Sequence, residues 1–116
     1  MLDLANVLAS IKEATGIQPT AFNTKSVNGV PAINYLAYVA RDDGAKEVWR
    51  FQTRITARTY VEAIEVDRKM RDTLVTLGDE PKFNSKIEVN GGGTLEDEAT
   101  SYPQIITYYD ITTKGV

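Results

Sequence analysis

The chain has 116 residues, enough for one domain with a modest core, and its 42% hydrophobic and 25% charged content is that of an ordinary globular protein. A net charge of −3 and a pI near 4.9 argue against a general nucleic-acid binder, whose affinity rests on neutralising phosphates. The chain contains no cysteine and no histidine, which removes disulfides, thiolate nucleophiles, the usual zinc ligands and the commonest general base.

Taken in order, residues 2–15 predict an amphipathic helix with Leu4, Val7, Leu8 and Ile11 as its apolar stripe, ended by Gly16. Pro19 makes Ile17-Gln18-Pro19 a connector, because it lacks an N–H and pushes Gln18 toward extended geometry. Thr20 to Ser26 reads as a short edge strand, and Asn28-Gly29 as a tight turn of the kind that needs positive φ at both positions. From Ala32 to Arg41, Ile33, Tyr35, Ala37 and Val39 alternate with Asn34, Leu36, Tyr38 and Ala40. Both faces are fairly apolar, which suggests a central strand or one whose second face meets a partner.

Asp42-Asp43-Gly44 is a turn into the longest signal in the chain. From Val48 to Ala57, Trp49, Phe51 and Ile55 alternate with Arg50, Gln52 and Arg54, the pattern of a half-buried strand. At Thr59 the period changes. Thr59 and Glu62 form a capping box, Ala63, Val66, Met70, Leu74 and Leu77 repeat at three and four residues, and Gly78 follows as a left-handed cap candidate. Lys86 to Asn90 predicts a short strand. Gly91 to Ser101 reads as a flexible acidic loop, and Tyr102 to Thr112 as the last strand, with Pro103 tolerable at an edge or a strand entrance. The order α, β, β, β, α, β, β predicts a single α+β two-layer domain. Its sheet is mainly antiparallel with four or five strands, and both helices lie on one face.

Four groups of residues are candidate sites. Arg50, Arg54 and Arg58 fall on one side of the long strand, where they face phosphates, acidic groups of a neighbouring subunit, or solvent. Glu96, Asp97 and Glu98, with Asp42 and Asp43, supply carboxylates, but the calcium-loop spacing is absent and a solvated loop is favoured. Gly91-Gly92-Gly93 lacks the following helix and Lys-Ser/Thr of a phosphate cradle, so a mobile loop is the better reading. Tyr35, Tyr38, Tyr102, Tyr108 and Tyr109 fall on both faces of two strands. They serve either cross-strand packing or an interface, where Tyr and Arg are favoured. No metal, cofactor or catalytic constellation is expected.

The strand EVWRFQTRI running into the helix TYVEAIEVDRKMRDTL, and the late NGGGTLEDEATSYPQIITYYDI, resemble phage neck proteins of the tail-terminator or tail-completion type. The likeness spans about Ile17 to Thr112. It implies a structural role in the virion, after assembly in the host cytoplasm. The subunits would form a homo-oligomeric ring, a hexamer, that ends growth of the tail-tube protein and meets a head-connector protein. DNA passes through the lumen without specific binding, and no membrane is involved. A heterologous ring needs two complementary patches. Arg50 and Arg54, with Arg58, Tyr38 and Tyr108, are candidates for one, and Glu96, Asp97 and Glu98 for the other. The alternative is a small binding or regulatory domain that recognises a protein through its sheet face.

Overall fold

The computed structural model describes residues 2–22, 29–83, 85–96 and 101–114. Helix α1 (Leu4–Thr15) starts at Asp3, whose carboxylate accepts from the Asn6 N–H at 3.1 Å. It stops at Gly16, where φ is +74°, a conformation that costs glycine nothing, and the Gly16 N–H donates to the Lys12 carbonyl. Strand β1 is only Thr20–Ala21. Residues 23–26 of the expected edge strand, and Asn28 of the expected turn, lie outside the described residues.

Strands β2 (Ala32–Asp42) and β3 (Lys46–Thr56) form the expected antiparallel hairpin. Its turn is held by two aspartates. Asp42 Oδ1 accepts from the Gly44 N–H at 2.8 Å, and Asp43 Oδ1 from the N–H groups of Ala45 and Lys46 at 3.0 and 2.7 Å. These backbone donors hold the Asp43 carboxyl below its ordinary pKa of 3.8. Its contribution to stability is therefore present above that value and fades as pH falls through the lowered one. Asp43→Asn, which keeps the acceptor but not the charge, is expected to flatten the acid limb of the melting-temperature profile as pH falls below the ordinary carboxylate pKa. Thermal melts across that fall in pH check it.

Helix α2 (Tyr60–Gly78) is capped by Thr59, whose hydroxyl accepts from the Glu62 N–H at 3.2 Å. The helix ends at Gly78, but not by a left-handed cap. The C-cap is Asp79, in right-handed geometry. Glycine at 78 lies close to the sheet instead: a Cβ there would lie a tight 3.0 Å from the Ile87 backbone nitrogen.

A single 3-10 turn (Pro81–Phe83) leads to β4, and β5 (Pro103–Lys114) closes the chain. β4 spans Ser85–Glu96, so the glycines and the first acidic residue after them, Glu96, belong to a strand rather than to a loop at 91–100. The chain stays paired because β4 bulges between Val89 and Gly92 and resumes its register opposite Thr107. Only glycine fits at 92, where a Cβ would sit 2.3 Å from the Ile106 carbonyl oxygen. Close approach of two backbones, not flexibility, accounts for this glycine.

The five strands lie in the order β1-β2-β3-β5-β4, all antiparallel except β1 with β2, which gives an α+β two-layer domain. β3 is central. β2, expected to be central, has β1 beside it only at Asn34 and Tyr35. β5 is interior, and Pro103 sits at its entrance. α2 crosses β3, β5 and β4, and α1 packs along α2. Between the helices and the sheet lie Val7, Ile11, Ile33, Phe51, Ile55, Met70, Leu74 and Ile111, all essentially without solvent contact.

Candidate subunit interface

Strand alternation places two sets of residues on the sheet, and both helices cover only one of them. The face turned away from the helices is built from rows across the sheet. One row runs Tyr38, Arg50, Asp110 and Glu88, and the next carries Leu36, Gln52 and Tyr108. Tyr38 and Leu36 are exposed, at 43% and 41%. Tyr108 is half-buried.

The arginines expected to form a free stripe have separate fates. Arg50 Nε meets Asp110 Oδ1 at 3.3 Å, and Asn90 donates to the other Asp110 oxygen at 2.7 Å. Arg54 lies on the same face, with its guanidinium 5.0 Å from the centre of the Phe22 ring. Its Nε is buried without a hydrogen-bond partner. Arg58 is not in the stripe, because β3 stops at Thr56 and Arg58 stands exposed in the turn before α2. The open part of this face is therefore aromatic and aliphatic around a half-neutralised Arg50.

Arg50→Glu faces Asp110 with a like charge across the strands, which costs the monomer about 1 kcal/mol or less. The variant is expected to fold, with a urea midpoint only slightly lowered, so any loss of assembly in it reports the surface.

Of the acidic candidates, Glu96 is the exposed last residue of β4, and Asp97 and Glu98 lie outside the described residues. Leu95 beside Glu96 is exposed, and so are Tyr60 and Val61 at the start of α2.

A buried polar group on the helix side escaped the sequence reading. Asp67 of α2 accepts from the Thr107 hydroxyl at 2.9 Å and pairs with Arg71 at 3.0 Å. Thr53 in turn donates to the Thr107 carbonyl at 3.3 Å. The Tyr109 hydroxyl is buried near this group without hydrogen-bond geometry to it. Burial first, and the Asp67 charge second, push its pKa far above the ordinary tyrosine value. The arrangement pins α2 to β5. The available signal was that Asp67 shares the inward stripe of α2 with Ala63, Met70 and Leu74.

Among the described residues, no group of three or more acidic, histidine or cysteine side chains is placed to hold a metal. Two surface hollows among the described residues, of about 490 and 450 Å³, lie between α1 and the end of α2 and between α2 and the glycines of β4. Comparison with protein-family models and with curated proteins gives no match.

Proposed function

We propose that this chain is a structural subunit of a phage neck, a tail-terminator or tail-completion protein that assembles as a ring, ends tail-tube growth and joins tail to head. The observation that carries the reading is the uncovered sheet face. It offers Leu36, Tyr38 and Tyr108 around Arg50, and nothing in the described chain lies over its upper rows. Aromatic residues and arginine are the types enriched at the centres of protein interfaces. Leu36 and Tyr38 stand exposed together on β2, and exposed apolar side chains gathered on one face mark a surface that another protein covers. The resemblance of the strand-to-helix segment and of the last hairpin supplies the particular assembly. The acidic balance suits a lumen through which DNA slides, because weak attraction leaves it mobile.

Light scattering after size exclusion, over a concentration series at low and high salt, tests the reading. The expected result is a discrete mass of six chains, either alone or on addition of preassembled tail tubes. A chain that stays monomeric under all conditions, and that tubes do not recruit, overturns it.

A further inference from the structure

Among the described residues, the same sheet has two edges with no strand beside them. On one side, β1 covers only Asn34 and Tyr35, so β2 from Leu36 to Asp42 has a described strand on one flank alone. On the other side, β4 is the outermost strand from Ser85 to Glu96. Natural sheets blunt such edges with proline, charges, bulges or very short strands; each strand here carries a bulge and exposed charges, Arg41 on β2 and Lys86 and Glu88 on β4. Neither segment contains proline, and both are long. Each also exposes apolar side chains: Leu36, Tyr38 and Val39 on β2, and Val89 on β4.

We propose that the open half of β2 in one copy adds, antiparallel, to the open edge of β4 in the next, so that the sheet runs from subunit to subunit. The proposal rests on the ring reading and names its contact. Strand directions allow it. β2, β3, β5 and β4 alternate in direction, so a second copy set beside the first in the same orientation brings its β2 antiparallel to β4.

The side chains then select a register. Arg41, exposed on β2, falls beside Glu88, exposed on β4, which is an opposite-charge pair across the seam. Glu88 now pairs with Lys86 at 2.8 Å, but both are open to water and free to exchange partners. Each strand carries a bulge, between Val39 and Arg41 on β2 and between Val89 and Gly92 on β4. Allowing for both, Val39 lies beside Val89, each facing the helix side of the sheet and each about two-fifths exposed, at 42% and 41%. Leu36 and Tyr38, on the other face, then fall along Gly91–Gly93, where the absence of side chains leaves room for them. The pairing is heterologous, since a β2 edge meets a β4 edge, which is the contact type that closes rings.

The native chain has no cysteine, so engineered thiols report the contact alone. The test is the double variant Val39→Cys, Val89→Cys. Within one chain these positions lie three strand spacings apart, about 14 Å, which is beyond disulfide reach. Any disulfide therefore joins two chains. The expected result, under mild oxidation of the protein at assembling concentration, is a ladder of cross-linked species ending at the ring size. Mixing the two single variants should give mixed dimers, with neither single variant cross-linking to itself. Circular dichroism under reducing conditions confirms that the variants fold. If light scattering shows the oligomer but no mixed cross-link forms, the edge pairing is wrong and the ring reading stands. Self-cross-linking of the Val39→Cys variant overturns the pairing in favour of a symmetric contact. Absence of both oligomer and cross-link, with preassembled tail tubes present as well as without them, overturns the pairing and the ring reading together.

Discussion

Phe51→Ala is expected to lower the unfolding free energy by about 3–5 kcal/mol, the largest loss of any single truncation considered for this chain. Phe51 has no solvent contact and lies at the middle of the central strand. Its ring stacks on Tyr35 at 5.9 Å between centroids and tilts against Tyr109 at 6.3 Å. Truncation removes the transfer energy of the ring, leaves a cavity that neighbours on a hydrogen-bonded sheet cannot collapse into, and breaks both aromatic contacts. A domain of this size has roughly 5–15 kcal/mol of stability in all, so the variant should sit near the edge of folding at body temperature. Urea titration checks it: the midpoint should fall sharply with an unchanged slope. A loss below about 1 kcal/mol would mean that Phe51 does not organise the core.

Gly92→Ala is the second, with an expected cost of about 1–3 kcal/mol from one added methyl group. The new Cβ would meet the Ile106 carbonyl oxygen at 2.3 Å and the Thr107 Cα at 3.2 Å, so β4 and β5 must part or slip. Both contacts are backbone atoms of a paired strand and cannot swing aside. The neighbouring Gly93 supplies the control. A Cβ there has no heavy atom within 4 Å, so Gly93→Ala should stay within about 0.5 kcal/mol of the parent. Thermal melts of the pair discriminate between the two accounts of the glycine run. Equal, small losses at both positions would return it to a mobile loop. A large loss only at 92 fits a built bulge at the sheet edge.

That glycine run shows where reading the sequence stops. Three consecutive glycines before acidic residues resemble a loop by composition, since glycine weakens isolated strands. Here β5 pairs with Gly92 and Gly93 on the far side of the bulge that holds Gly91, and close approach selects glycine at 92. Gly78 misleads in a related way: it is not a left-handed cap but lies against Ile87, a contact formed between residues nine apart in sequence. The stripe of arginines was legible for Arg50 and Arg54, which share a face by alternation, but not for Arg58, because β3 ends two residues earlier. The partners of Arg50 and Arg54 were not legible. Asp110 and Phe22 lie 60 and 32 residues away and reach them only through strand pairing and the path of β1.

The sequence by itself determined the number, type and order of the main elements, the strand-to-helix change at Thr59, and which side chains of β3 and α2 face the core. Those properties follow from local periodicity and capping, which depend on residues a few positions apart. The tertiary structure alone decided that β5 inserts between β3 and β4, and that β1 stops short on β2. It also brought Asp67 to Thr107 and, among the described residues, left β2 from Leu36 to Asp42 and the outer flank of β4 without a neighbouring strand. Periodicity states which face a strand turns inward but is silent on which strand lies at its side. That choice is made by hydrogen bonding and packing between segments tens of residues apart, and it places the surfaces through which this protein is proposed to assemble.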